Sequence, residues 1–256
     1  VLPDPTINQI VQNRFTEKKF IGNLAGASNE LEIRTTNYAL IKEKSDILKN
    51  EALLPGLLKT CTLGYDGKGQ FVINNKKEAD NLEIDFDKEY ILEKKITLKK
   101  EISVIVTRFS NNKFLVFEPF ENHHINQILN KSVIPADITK DIFKKAQQQA
   151  KLIAEKLEYI GTMCVEYFID EKNNLLVNEI APRVHNSGHL TINAYNISQF
   201  ESHIRAVCDL PRVELKKIHN AEMINNIGED IKTNRKKSNA KKEFSFEYLN
   251  KEIKKN

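Results

Sequence analysis

Apolar positions recur along the chain with two different periods. After Pro3 and Pro5, the residues Ile7, Ile10, Val11, Phe15 and Leu24 return at helical spacing, which predicts one helix over 6–24 with Arg14 and Lys18 sharing a face. Short runs rich in β-branched or aromatic residues predict strands at 56–59, 70–73, 90–93, 101–109 and 113–118. The clearest helix spans 139–160, with Ile142, Phe143, Ala146, Ala150, Ile153, Ala154 and Leu157 on one stripe and Gly161 placed to end it. Two apolar runs, 163–169 and 175–180, flank Asp170-Glu171-Lys172-Asn173-Asn174, which reads as a hairpin turn. Antiparallel pairing about the Lys172–Asn173 centre sets Glu166 opposite Glu179 on one face. Alternating strands and helices, with no internal repeat and no low-complexity linker before the tail, predict a mixed fold of the α+β class.

Composition narrows the function classes. The chain has 256 residues, 40% hydrophobic and 29% charged, enough for a sizeable core, and no apolar run approaches the ~20 residues of a membrane helix. Its formal net charge of +4 resides in residues 229–256, which include Arg235, Lys236, Lys237, Lys241 and Lys242; the remaining body is neutral. A nucleic-acid or membrane partner is therefore not expected. Cys61, Cys164 and Cys208 are odd in number, far apart and without metal or redox spacing, so a reduced, cytoplasmic protein is expected. The start, Val1-Leu2-Pro3-Asp4-Pro5, shows neither a basic leader nor an apolar export segment.

Three groups of residues carry candidate chemistry. Facing carboxylates about 4–5 Å apart repel by roughly 4 kcal/mol at an effective dielectric near 20 unless a cation lies between them. Mg2+ is commonly held by one or two carboxylates together with substrate phosphates, so Glu166 and Glu179 read as half of a metal–nucleotide site; the alternative is two solvent-facing glutamates on an exposed hairpin. Gly64-Tyr65-Asp66-Gly67-Lys68-Gly69-Gln70 holds three of the nine glycines, and the N–H groups of such a loop can wrap phosphate oxygens. A strand follows it and no Lys-Ser/Thr closes it, which excludes a dinucleotide fingerprint or a P-loop and leaves a glycine-rich hairpin turn as the alternative. The segment 178–189 packs charge, amide, hydroxyl and imidazole directly after a strand, so its arginine and two histidines can hold an anion or satisfy one another within a turn. His123 and His124 form a smaller polar cluster. No nucleophile–base arrangement follows from spacing, and Cys164 sits in an apolar run; the set fits nucleotide-dependent phosphoryl transfer without a covalent enzyme intermediate.

The order of Lys59, GYDGKGQ at 64–70, Glu166 and NEIAPRVHNSGH at 178–189 resembles the ATP-grasp superfamily, and within it the 5-(carboxyamino)imidazole ribonucleotide synthases of purine biosynthesis. The likeness runs from Gln12 to Gly228, and VHNSGH makes it specific. It implies an ATP-grasp fold, two α/β lobes at 23–92 and 93–211 whose antiparallel sheets hold ATP between them. It further implies a helix at 1–22 that follows an α/β domain absent from this sequence, and an incomplete small C-terminal β domain at 212–256. The implied reaction is a carbon–nitrogen ligation, the ATP- and bicarbonate-dependent carboxylation of 5-aminoimidazole ribonucleotide through carboxyphosphate.

By the same resemblance Arg14 and Lys59 contact nucleotide phosphates, and Gly64, Tyr65, Asp66, Gly67, Lys68, Gly69 and Gln70 close over them as a lid. Glu93, Lys94, Lys95 and Ile96 line the adenine pocket by their backbone, Glu101 holds the ribose and His124 faces the nucleotide. Glu166 and Glu179 bridge Mg2+ or Mn2+ with Asn178 beside them, and Arg183, His185, Asn186 and His189 sit where bicarbonate and the ribonucleotide meet. The implied partners are small molecules, and a homodimer is compatible with the likeness. Two departures stand out: Leu63 replaces a usual glycine and would stiffen the lid, and the family's Arg-Lys-x-Gly-His segment is absent although 244–249 reads as the strand leading to it. The rival expectations are a formate-dependent glycinamide ribonucleotide transformylase, whose loop after Pro-Arg-Val is more acidic, and a nucleotide-binding module without turnover.

Overall fold

The computed structural model describes residues 2–24, 31–62 and 69–226. Residues 63–68 of the glycine loop, the basic tail and the expected strand at 244–249 lie outside them.

The first helix is two helices, not one: α1 (Thr6–Val11) and α2 (Arg14–Leu24). The break falls at Gln12–Asn13, where Asn13 Oδ1 accepts the N–H groups of Phe15 (2.9 Å) and Thr16 (3.2 Å) and so restarts the helix as a cap. The chain then builds β1 (Tyr38–Ile41), α3 (Lys44–Lys49), β2 (Gly56–Thr60), β3 (Gln70–Ile73), α4 (Lys76–Asp80) and β4 (Tyr90–Lys94). Their strands form a four-stranded antiparallel sheet in the order β1-β4-β2-β3. Ile41, Leu58, Ile73 and Leu92 pack its core with Ile47 of α3 and Ala79 of α4.

A second sheet follows, from β5 (Leu98–Arg108), β6 (Phe114–Val116), β7 (Phe120–Ile125), β8 (Ile128–Ile134), β9 (Gly161–Asp170), β10 (Leu175–Ala181) and β11 (Ala221–Ile224). Its order is β10-β9-β5-β7-β8-β11, with β6 also on β5; these strands pair antiparallel, and Thr35 adds an isolated parallel bridge to Val177 of β10. One face packs on α1, α2 and α5 (Lys140–Lys156), burying Ile102, Val104, Val165, Val177 and Ile180 against Ile21, Ile142 and Ile153. The other face buries Ile105, Phe117, Phe120 and Cys164 under Leu190, Ala194 and Tyr195, beside α6 (Thr191–Ala194) and α7 (Gln199–Val207). Because β11 pairs with β8, the described residues of the 212–226 stretch extend the edge of this large sheet.

Two local expectations are corrected. Helix α5 stops at Lys156 instead of running to 160, and Glu158, at φ 51°, takes the left-handed position that ends it. The N–H of Glu158 reaches Glu155 O (2.9 Å) and that of Tyr159 reaches Ala154 O (3.1 Å), the paired bonds of a Schellman stop. Gly161 instead opens β9 at φ 129°, where a Cβ would stand 3.1 Å from the His203 ring.

The hairpin turn is also one register away from the expected centre, since Leu175 pairs with Ile169 and Val177 with Tyr167. A β-bulge between Val177 and Glu179 then adds one residue, so that Glu179 does face Glu166. The expected pair is correct through two compensating shifts.

Candidate active site

A cleft of about 750 Å3 opens between the two sheets. Lys59 of β2, Gln70 of β3 and Glu93 of β4 form one wall, and Glu101, His124, Glu166, Asn178 and Glu179 rise from the large sheet opposite. Arg14, Glu17 and Lys18 enter from α2, and Arg183, His185 and Asn186 from the segment after β10. Twelve of the residues expected from sequence therefore meet in one place: Arg14, Lys59, Gln70, Glu93, Glu101, His124, Glu166, Asn178, Glu179, Arg183, His185 and Asn186. Lys94, Lys95, Ile96, Gly69 and His189 do not line this cleft. The backbone N–H groups of Lys94 and Lys95 are taken by Asn37 O (2.8 Å) and Pro55 O (2.9 Å), and the His189 ring stacks on Phe200 with centroids 5.6 Å apart. Gly69, at φ 72°, closes the β2–β3 hairpin by accepting Thr60 N–H at 3.0 Å, and leaves Gln70 across from Lys59.

At the closed end of the cleft one carboxylate is shared by two lysines. Glu93 Oε2 lies 3.1 Å from Lys59 Nζ and 3.7 Å from Lys18 Nζ, and it also accepts Thr36 Oγ1 at 3.3 Å. Burial pushes the Glu93 carboxyl up, but Lys18 and Lys59 outweigh it and hold the group below the usual carboxylate range. Burial lowers the proton affinity of Lys18 against the pull of Glu93.

On the floor, His124 Nδ1 is 2.8 Å from Glu101 Oε2. Burial works against a charged ring there, and the adjacent Glu101 carboxylate reverses it, so the His124 pKa is raised.

The open end carries unbalanced acid. Glu179 is raised above the ordinary carboxylate value by burial and then by the charge of Glu166. Glu17, which sequence reading left out of the site, is raised to about 8 by burial and then by Glu179. Glu166 moves the other way: burial raises it, but the hydrogen bond from His185 and the charges of His124 and Arg183 prevail.

His185 Nε2 stands 3.1 Å from Glu166 Oε1. Its Nδ1 accepts the Ser187 N–H at 3.3 Å and pairs with Ser187 Oγ at 2.8 Å. The Nε2–H points at Glu166, and although burial works against a charged ring, the Cys164 and Glu166 side chains reverse it and push the His185 pKa up to about 11. Behind Ser187 a buried polar ladder crosses the sheet, with Ser103 Oγ at 2.8 Å, then Asn122 Nδ2 on Ser103 at 2.9 Å and Ser132 Oγ on Asn122 Oδ1 at 2.8 Å. Gln199 ties down the backbone, giving Nε2 to His185 O (2.6 Å) and accepting His185 N–H (2.9 Å). Gly188 makes that possible, because a side chain there would collide with the Gln199 amide. The HNSG order thus supplies the imidazole, its Nδ1 partner and the space for its clamp.

Two antiparallel sheets with a lysine and a carboxylate on one wall and facing glutamates on the other define an ATP-grasp protein. The chain belongs to that family, since the ATP-grasp domain model matches residues 27–200. More particularly, it is similar to the N5-carboxyaminoimidazole ribonucleotide synthase of Bacillus subtilis, with 42% identity over 226 residues covering 87% of this chain and 58% of the relative. The Staphylococcus aureus N5-carboxyaminoimidazole synthetase complexed with ADP superposes with a TM-score of 0.81 at 38% identity, over 91% of this chain and 61% of the other. The Aspergillus clavatus enzyme in complex with ADP and 5-aminoimidazole ribonucleotide gives 0.77 at 26% identity, over 90% and 62%. The chain spans about three fifths of the length of these relatives.

Proposed function

We propose that the protein carboxylates the amine of 5-aminoimidazole ribonucleotide with ATP and bicarbonate, as a carbon–nitrogen ligase of purine biosynthesis. The observation that carries this reading is the facing pair Glu166 and Glu179 in one cleft with Lys59, and with Arg183, His185 and Asn186 at its open end. Bicarbonate oxygen attacks the γ-phosphorus of ATP, the bond to the β-phosphate oxygen breaks, and ADP leaves with carboxyphosphate behind. The ribonucleotide amine then takes the carboxyl carbon, releasing phosphate and a proton.

The donor set fits a divalent metal. Two carboxylates on adjacent strands raise the proton affinity of Glu179, which is the strain a hard cation relieves, and oxygen donors with room for phosphate suit Mg2+ or Mn2+. When bound, the metal would supply neutralisation of phosphate charge. Lys59 and Arg14 face the same phosphates, while Glu101, steadied by His124, takes the ribose. Arg183 and Asn186 orient the bicarbonate, with His185 beside them holding Glu166 through its Nε2–H. A second cavity of about 290 Å3 shares Arg14, Glu17, Glu179 and Arg183 with the main cleft and adds Asn8 and Gln12, a polar recess suited to the ribonucleotide.

Among the described residues no helix is long and apolar enough to cross a membrane. The test is ADP release by the 256-residue chain with Mg-ATP and bicarbonate, with and without the ribonucleotide. Ribonucleotide-stimulated release that falls by on the order of 10²-fold or more in Glu179→Gln is the expected result. Stimulation by formate with glycinamide ribonucleotide, and none by bicarbonate, would sink this reading in favour of the sister ligase.

A further inference from the structure

We propose that Glu17 and Lys18 of α2 are positioning residues that clamp the bulge in β10 and so fix Asn178 and Glu179 against Glu166. The inference rests on the metal–nucleotide reading of that site.

A regular strand sends successive side chains to opposite faces. Here Val177 and Ile180 both point into the core, and the two residues between them, Asn178 and Glu179, both line the cleft. Only the extra residue of the bulge allows this, with Asn178 and Glu179 together opposing Glu166.

β10 is the edge strand of the large sheet and the bulge interrupts its ladder, so backbone groups there have no strand partner, and the N-terminal segment takes them up. Lys18 Nζ donates to Asn178 O at 3.2 Å, and Glu17 Oε1 accepts the Ile180 N–H at 2.6 Å. On the core side of the bulge, Val177 N–H reaches Arg34 O at 2.7 Å and Val177 O accepts Thr35 Oγ1 at 2.8 Å; that hydroxyl in turn accepts Lys18 Nζ at 2.8 Å. Glu17 and Lys18 are each only 1% exposed, so both side chains carry the cost of desolvation on a helix face where leucine would pack. The bulge accounts for that cost. Its flanking donor and acceptor lie two residues apart, and adjacent residues on α2 supply one acceptor and one donor to match.

The test separates the reach of the hydrogen bond from the carboxyl group itself. Glu17→Gln keeps an Oε1 that reaches Ile180 and loses the titratable group, whereas Glu17→Asp keeps a carboxyl and falls one methylene short. Mn2+ binding to the full chain with ADP, followed by the electron paramagnetic resonance of free Mn2+, should weaken roughly tenfold or more in Glu17→Asp and stay within about threefold of the parent in Glu17→Gln. The reverse order, or two parent-like variants, overturns the clamp. Should Glu17→Asp fail to fold, amide exchange of Ile180 in the parent decides: strong protection supports the clamp, and exchange at the rate of an open amide overturns it. Glu179→Gln serves as the control, since unchanged Mn2+ affinity there would remove the metal reading while the Ile180 amide still judged the clamp.

Discussion

Two clusters of charge face each other across one cleft, and they are built on opposite terms. Around Glu93 a single carboxylate is shared by Lys18 and Lys59, so the cluster is complete within the chain. Around Glu179 lie the carboxyl groups of Glu166 and Glu17, a surplus of acid that Arg14, Lys59 and His185 offset in part and that Glu17 meets by holding its proton. Opposite charges with satisfied geometry hold each other ionised, whereas neighbouring like charges raise each other's proton affinity unless something outside the chain compensates. The first cluster is closed by ion pairs within the chain, and the second is where the proposed function puts a cation.

The contrast can be broken most severely at Glu93. Replacing it by Gln strands two buried ammonium groups, and a loss of about 3–5 kcal/mol in urea denaturation is expected; a parent-like midpoint would show that Lys18 and Lys59 do not depend on it.

A smaller effect is expected from pH. Glu17 holds its proton in the folded state up to about 8, against 4.5 for an unperturbed glutamate, so its contribution to stability is fully present below 4.5 and is lost as pH rises towards 8. Glu93 has the opposite sign, contributing above 4.5 and losing that contribution as pH falls through its lowered value. The metal-free urea midpoint of the parent should thus decline between pH 5 and 8 relative to Glu17→Gln, and parallel profiles would count against the surplus.

The mildest test is Glu179→Gln without metal. Removing one of two facing charges should stabilise the chain by about 1 kcal/mol, seen as a melting temperature ~2–4 °C higher. A lower melting temperature would mean that Glu179 is stabilising in its own right.

How far these clusters could be read from sequence depended on what each strand or helix faces. Helix α5 was legible because Ile142, Ala146, Ala150 and Ile153 all enter a dry core and leave a clean stripe. Strand β7 was missed because Asn122 joins the Ser103–Ser132 polar ladder and His124 faces the cleft, so the apolar alternation never forms. Glu17 was passed over, and Lys18 read only as sharing a face with Arg14, for a related reason. They share the buried face of α2 with Ile21 and Leu24, and charges at core spacing were the available signal that they are more than solvent contacts. The split of the first helix also had a signal, an asparagine at 13 competent to cap.

The bulge at Asn178 has a consequence for register. In an unbroken hairpin the turn dictates the register of the whole returning strand, and one residue gained or lost would invert which side chains face the ligand. Here a strand on one register, ending at Val177, is joined to one on another, beginning at Glu179. The irregularity is a seam between two registers: the turn at 170–174 sets the pairing of Leu175, Leu176 and Val177, while Glu179, Ile180 and Ala181 keep a pairing of their own on β9.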